Sequence, residues 1–260
     1  MLLALFSLLA EVGIASGPRS FERVTRHVVP PTLRSSPRAR SGVQCHNHHV
    51  GVSTVLESAG EGCGKVFRTD DHAIADLFLR DRRGDIQQAS EKLREAVEWR
   101  KTFGDIPIPE HLYREEESET GKCALHHKLD RDGRAVIIVR VDRHVINDFP
   151  LESSKALCVA TIEKALEQLD QRGEISVIFN LNGFGLRNAD FAFAKFLVKT
   201  LYKYYPQRLG AAYMVDAPLL FQGPWKIVKP WLRRYASLVT FLPSNKVSGL
   251  FDDPVDAPTL

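Results

Sequence analysis

The second half of the chain alternates short apolar runs with longer segments of helical periodicity. Residues 175–181 are apolar except at Ser176 and Asn180, which predicts a central strand that is buried on both faces. Four buried strands joined by helices predict an α/β fold with a mostly parallel sheet and crossover helices. The predicted strands are 135–141, 175–181, 211–215 and 238–242, and the predicted helices between them are 153–171, 188–205 and 223–235.

An all-helical pattern precedes the sheet. One helix is predicted to start near His72, with Thr69 or Asp70 as its N-cap. A second is predicted to cover 86–101, and two prolines soon afterwards prevent its continuation. We therefore predict a small helical lobe over residues 61–125, followed by the α/β domain over residues 126–250.

Residues 1–60 differ in composition from the rest of the chain. They begin with an apolar run at 2–10, and residues 19–56 hold six arginines, no lysine and the single acid Glu22. An arginine-rich, acid-poor segment is typical of a transit peptide, so a plastid or other organellar address is one interpretation. The alternative is a disordered extension, because such a segment cannot pack a core. Residues 251–260 are predicted to form a disordered tail.

The amino-acid composition argues against several classes of function. The chain has 44% hydrophobic and 26% charged residues and a formal net charge of +3, which is ordinary for a globular protein and too small to indicate nucleic-acid binding. The four cysteines share no CxxC spacing, so neither a metal site nor a disulfide framework is expected. No apolar run reaches the ~18 residues that a spanning helix needs. We expect no metal, no cofactor and no nucleic-acid partner.

Open parallel sheets bind ligands at the carboxyl ends of their strands. The sequence GFGLRN at 183–188 follows a strand and precedes a helix, and Asp216 stands where a ribose-binding acid would lie. A Rossmann-like nucleotide-binding enzyme is therefore the alternative hypothesis, although the third glycine of its motif is absent. There is also no GxSxG elbow and no histidine after His144, so we expect a protein without catalytic activity.

The segment 223–235 combines apolar and cationic residues in one predicted helix. Pro230 lies inside it and predicts a kink. Two interpretations stay open: an amphipathic crossover helix whose cations reach solvent, or a mobile lid whose tryptophans and cations meet an anionic membrane. The residues concerned are Trp225, Lys226, Lys229, Trp231, Arg233 and Arg234.

Four short sequences occur in a fixed order: NGFGL at 182–186, YYPQRLG at 204–210, DAP at 216–218 and WKIVKP at 225–230. This combination resembles the CRAL-TRIO lipid-binding domain, the family that includes phosphatidylinositol and phosphatidylcholine transfer proteins. The resemblance implies a lipid pocket closed by a gate helix. It also implies binding and intermembrane transfer of a phospholipid or other hydrophobic ligand, by a monomer that is cytoplasmic or touches membranes peripherally and transiently.

The resemblance further implies roles for individual residues. Lys229 falls where the family has the lysine that meets the inositol phosphate, and the gate helix is implied to carry Trp225, Lys226, Trp231, Arg233 and Arg234. Gln207 stands where phosphatidylinositol-binding members have glutamate, which weakens phosphatidylinositol as the cargo but not lipid in general. The predicted headgroup contacts are Lys229, Gln207, Arg208 and Arg80.

Aromatic residues are more numerous than a thin interface between a sheet and its helices requires. We therefore predict that some of them line the lipid pocket. The residues chosen are Phe184, Phe191, Tyr202, Tyr213 and Phe221.

Overall fold

The computed structural model describes residues 42–260 apart from residues 61, 105–106 and 171. For residues 42–47, 233 and 234 it describes the backbone alone. Most of the predicted N-terminal extension therefore lies outside the described residues.

The described residues contain eight helical segments and five strands that position the site. The helices are α1 (Gly42–Ala59), α2 (Asp71–Asp81), α3 (Ile86–Lys101), α4 (Glu115–Glu119), α5 (Leu151–Leu166), α6 (Phe191–Lys199), a π-helical turn (Thr200–Tyr204) that continues α6, and α7 (Gln222–Leu232). The strands are β1 (Cys123–Leu129), β2 (Ala135–Arg140), β3 (Ile175–Asn180), β4 (Leu209–Val215) and β5 (Val239–Leu242).

The five strands form one sheet in the order β1-β2-β3-β4-β5. The strands β2 to β5 are parallel, and β1 runs antiparallel to β2 at the edge. The predicted fold class is thereby confirmed. The edge strand β1 was not predicted, because its sequence CALHHKL lacks the continuous apolar run of a central strand. Its last three residues are exposed.

The two faces of the sheet are covered by different parts of the chain. On one face, Ile137 and Val177 join a core formed with α5, α6 and the helical lobe. On the other face, Ile138 and Ile178 pack against residues near the C-terminus, among them Phe251. Neighbouring residues of a strand point to opposite faces, so each of these strands contributes to both cores.

The C-terminal segment is ordered, which corrects the prediction of a disordered tail at 251–260. Phe251 is only 2% exposed. The ring Nε2 of His126 lies 2.7 Å from the backbone oxygen of Asp256, and Nη2 of Arg140 donates to the backbone oxygen of Thr259 at 2.9 Å. The physical reason is that the sheet face without crossover helices must still be removed from water.

The helical lobe begins earlier than residue 61. Helix α1 lies in the segment that was predicted to be a disordered or targeting extension, and its Val52 and Val55 are buried in the main core with α2 and α3. Of the two caps predicted for α2, the structure uses Asp70, whose side chain accepts from the Ala73 amide at 2.6 Å. The cap of α3 was not predicted: the side chain of Asp85 accepts from the Gln88 amide at 3.0 Å.

Buried charges join the lobe to the α/β part. Nε of Arg100 in α3 donates to Oε1 of Glu163 in α5 at 3.0 Å, and the Tyr205 hydroxyl donates to the same carboxylate. Nζ of Lys92 in α3 donates to the backbone oxygen of Tyr202 at 2.9 Å, inside the π-helical turn. The YYP sequence therefore lies where the lobe meets the sheet domain.

Candidate functional site

A cavity separates the sheet from α5 and α6. The cavity has a volume of about 70 Å³ and is partly open to solvent. Alternate strand residues supply its floor and the two helices supply its walls, because the side chains of a strand reach one face at every second position. The lining includes Ile137, Val177, Phe179, Leu157, Phe193 and Leu197.

The polar groups of the lining include Lys122, His144 and Ser154. Lys122 immediately precedes β1, whose first residue pairs with Val139 near the end of β2. His144 follows β2, and Ser154 lies in the first turn of α5. All three positions belong to the carboxyl edge of the parallel strands, which is the edge where open α/β sheets bind ligands.

The Lys122 ammonium is buried and has three acceptors for its three protons. It donates to the Glu117 carboxylate, to Oγ of Ser154 at 3.2 Å and to Nδ1 of His144 at 3.3 Å. Glu117 is fully buried and also accepts hydrogen bonds from the hydroxyls of Ser153 and Ser154. The buried ion pair is therefore supported by hydrogen bonds on both of its members, as a desolvated pair must be.

His144 links this ion pair to α6. Its Nε2 lies 3.2 Å from Oδ2 of Asp190, and the other oxygen of Asp190 accepts from the Phe193 amide at 2.9 Å as the N-cap of α6. An ammonium group can only donate, so Nδ1 of His144 is an acceptor and the ring proton sits on Nε2. Burial and the nearby Lys122 cation lower the pKa of His144, against an opposing effect of Asp190.

Two cysteines also line the cavity, Cys123 from β1 and Cys158 from α5. Burial raises the pKa of both thiols above the ordinary value. They therefore remain protonated and contribute to the wall as small apolar groups rather than as nucleophiles.

The predicted pocket-lining residues lie elsewhere. Tyr213 is on the opposite face of the sheet, beside Ile178, and packs in the C-terminal core. Phe184 and Phe221 form an edge-to-face pair at the carboxyl edge, with ring centroids 5.2 Å apart. Phe191 is partly exposed at the start of α6, and Tyr202 faces Tyr235 in an edge-to-face pair.

None of the five predicted residues is part of the lining of this cavity, and their role in a lipid pocket stays a prediction. The aromatic side chains that do line it are Phe179 and Phe193. Counting aromatic residues missed Phe179 because it lies in the strand itself. Phe179 lies two residues after Val177 in β3, so both side chains point to the same face of the sheet. This spacing is the feature of the sequence that identifies Phe179.

The predicted headgroup residues occupy several places. Gln207 and Arg208 immediately precede β4, which puts them at the amino edge of the sheet, away from Lys122 and His144. Arg208 is buried, donates to the backbone oxygen of Gly173 at 2.9 Å, and has its pKa lowered by burial. In the helical lobe, Nε of Arg80 donates to Asp76 at 2.9 Å. A headgroup role for these residues and for Lys229 stays a prediction.

Helix α7 is the predicted gate helix, and it contains Pro230. Lys226 and Lys229 are exposed on it, whereas Trp225 and Trp231 are half-buried. The Trp225 ring lies 5.2 Å from that of Phe241 and 6.3 Å from that of Phe221. The side chains of Arg233 and Arg234 lie outside the described residues.

The turn GFGLRN is closed by its own side chains. Oδ1 of Asn188 accepts from the Gly185 amide at 2.7 Å, and its amide nitrogen donates to the backbone oxygen of His144 at 2.9 Å. The next helix, α6, is capped by the carboxylate of Asp190 rather than left open to a phosphate. A dinucleotide site needs the opposite arrangement, with free amides and no acid at the helix start. The geometry therefore argues against the nucleotide-binding alternative.

Comparison with known proteins identifies the family. The model of the CRAL/TRIO domain matches residues 118–253, so the chain belongs to that family. A CRAL-TRIO domain-containing protein of Schizosaccharomyces pombe is 32% identical over 164 residues, which is 60% of this chain and 37% of that protein. The SEC14 cytosolic factor of Yarrowia lipolytica is 29% identical over 189 residues, or 64% of this chain and 37% of that protein.

Two further similarities extend the comparison. A phosphatidylinositol/phosphatidylcholine transfer protein of Arabidopsis thaliana is 27% identical over 214 residues, covering 74% of this chain and 38% of that protein. The chain thus spans well under half the length of these three relatives. The crystal structure of Sfh5 matches with a TM-score of 0.67 at 13% identity, over 82% of this chain and 85% of Sfh5, which supports the fold alone.

Proposed function

We propose that this chain binds a hydrophobic ligand, most simply a phospholipid, in the cavity between the sheet and α5 and α6, and carries it between membranes. The observation that supports this proposal is the largely apolar lining of that cavity within a CRAL/TRIO fold. Small-molecule sites typically have volumes of about 300 to 1,000 Å³, so binding of a lipid requires this cavity of about 70 Å³ to widen. A relative whose name is phosphatidylinositol/phosphatidylcholine transfer protein supports the same class of ligand.

A carrier solves a specific energetic problem for lipids. A two-tailed phospholipid has ~28 methylenes, and each costs ~0.8 kcal/mol in water, so spontaneous escape from a bilayer is very slow. A dry pocket makes the exchange nearly neutral. The proposed activity is therefore binding and exchange, without a catalytic step.

We propose α7 as the gate and the carboxyl edge of the sheet as the membrane-facing side. Leu219 is 83% exposed, Leu186 is 66% exposed, and Leu220 is half exposed, all in loops at that edge. The exposed Lys226 on α7 adds a positive charge that suits an anionic surface. Among the residues that the structure describes, none of the helices is both long and apolar enough to cross a bilayer. The proposed contact with the membrane is peripheral and transient.

The proposal is tested by transfer of a fluorescent phosphatidylcholine from donor to acceptor liposomes by the full chain. We expect a rate that rises with protein concentration and falls when excess unlabelled lipid competes. No transfer of phosphatidylcholine, phosphatidylinositol or a fluorescent sterol above the rate without protein would contradict the proposal.

A further inference from the structure

The polar end of the cavity places a hydrogen-bond donor beside an acceptor. Nζ of Lys122 and Nδ1 of His144 are 3.3 Å apart, and both side chains line the cavity. This separation is longer than the ~2.7–3.2 Å of a normal hydrogen bond, so the contact between the two groups is weak. The donor role of Lys122 is fixed by its chemistry, and the acceptor role of Nδ1 follows from it.

The surrounding charges disfavour an anion at this position. His144 is faced by the Lys122 ammonium, the Asp190 carboxylate and, at longer range, the Glu117 carboxylate, while the uncharged ring of Phe193 lies 5.0 Å away. With His144 neutral, the cluster therefore holds two negative charges and one positive charge. An anionic ligand group would add a third negative charge and would have to compete with Glu117 for Lys122.

We propose that the Lys122–His144 pair is a subsite for the hydroxyl group of an otherwise apolar ligand. A hydroxyl accepts a hydrogen bond from Nζ of Lys122 and donates one to Nδ1 of His144, so a single oxygen replaces the weak contact with two good ones. An ether oxygen can only accept hydrogen bonds, so it offers no donor to Nδ1 of His144. The inference rests on the proposed function, because it assumes that the cavity holds a hydrophobic ligand, and it narrows that ligand to one with a hydroxyl rather than a phosphate at this end.

Two ligands that differ by one hydrogen-bond donor test the subsite. Oleyl alcohol and oleyl methyl ether share their apolar chain, and each is titrated from cyclodextrin into the full chain by calorimetry at about pH 8, where histidine is neutral. We expect the alcohol to bind roughly tenfold more tightly than the ether, the usual effect of one hydrogen bond. His144→Phe keeps a ring beside Phe193 and is expected to abolish this preference. The control His111→Phe, at an exposed position of the lobe, is expected to retain it.

The unaltered protein provides a second readout that does not depend on the folding of a variant. Neither ligand ionises, so a change in their affinity ratio between about pH 8 and pH 5 reports on the protein. Protonation of His144 converts Nδ1 from an acceptor into a donor, and the preference for the alcohol is expected to fall towards one. A ratio that stays constant while the His144 ring, followed by NMR in the same pH series, becomes protonated contradicts the subsite.

The outcomes separate the subsite from the carrier function. Equal affinity for the alcohol and the ether at about pH 8 overturns the hydroxyl subsite and leaves the carrier function standing. Failure of the alcohol, the ether and 1-octadecene to bind at all overturns both.

Discussion

The Arg100 guanidinium and the Glu163 carboxylate form an ion pair across the boundary between the helical lobe and the sheet domain, with Nε and Oε1 3.0 Å apart. The Arg100 side chain is 0% exposed, and the Tyr205 hydroxyl donates to the same carboxylate. Removing either charge leaves the other uncompensated in a site from which water is excluded. The pair therefore fixes the lobe against α5.

Arg100→Met is expected to lower the free energy of unfolding by roughly 3–5 kcal/mol, because Glu163 is left buried without its cation. Urea denaturation measures the change. Arg100→Met combined with Glu163→Leu is expected to be less destabilised than Arg100→Met alone. Lys101→Met is the matched control, since its pair with Glu98 is exposed and is expected to contribute under about 1 kcal/mol. Equal losses in the Arg100 and Lys101 variants would contradict the account of the boundary.

The ordered C-terminal segment gives a second prediction. Phe251→Ala is expected to lower the free energy of unfolding by about 3–5 kcal/mol, because the ring is buried against the sheet face that carries Ile138 and Ile178. Val255→Ala serves as the control, because Val255 is exposed. Its loss is expected to stay within about 0.5 kcal/mol. If the Phe251→Ala protein is as stable as the unaltered chain, the claim that the C-terminal segment packs on the sheet is contradicted.

The two faces of the sheet differ in whether they can take additional volume. Val177→Phe adds bulk towards the cavity and is expected to leave the thermal midpoint unchanged or raised. Val136→Phe adds the same bulk on the other face, where the side chain is fully buried in the C-terminal core. It is expected to destabilise by about 1–3 kcal/mol. If both variants lose similar stability, the space beside Val177 is not available to a ligand.

The gate helix yields a prediction about charge. Lys229→Ala and Lys226→Ala are each expected to slow transfer of an anionic phospholipid about fivefold at low salt, since a lysine near an anionic surface contributes about 1 kcal/mol. The effect is expected to shrink at high salt. Lys101→Ala, an exposed change in the lobe, is the control. Transfer by the two gate variants that equals the control in low salt would remove these lysines from membrane contact.

The sequence predicted the central part of the fold well and its margins poorly. Strands β2 to β4 are largely apolar and are buried or half-buried, as the central strands of a parallel sheet are. Strand β1 escaped prediction because an edge strand needs no such run. Helix α1 escaped because it falls in the segment whose composition suggested an extension, although Val52 and Val55 bury its inner face.

The cavity lining was harder to predict for a different reason. A strand that is buried on both faces has no polar alternation, so its sequence does not tell which face is filled and which borders a cavity. Tyr213 and Val177 lie on opposite faces of neighbouring strands, and only the tertiary structure distinguishes them. The surroundings of the Lys122–Glu117 pair could not be predicted either, because its partners come from two other parts of the chain. Ser153 and Ser154 lie at the start of α5, and His144 lies in the loop after β2.

The most direct test is mass spectrometry of lipid extracted with organic solvent from the purified full chain and from its Val177→Phe variant. A hydrophobic ligand at about one molecule per folded protein is expected from the unaltered chain, and much less from the variant, because the added ring occupies the space of the ligand. Absence of any hydrophobic molecule from the unaltered chain, even after incubation with liposomes, or equal amounts from both proteins, would contradict a ligand held between the sheet and α5 and α6.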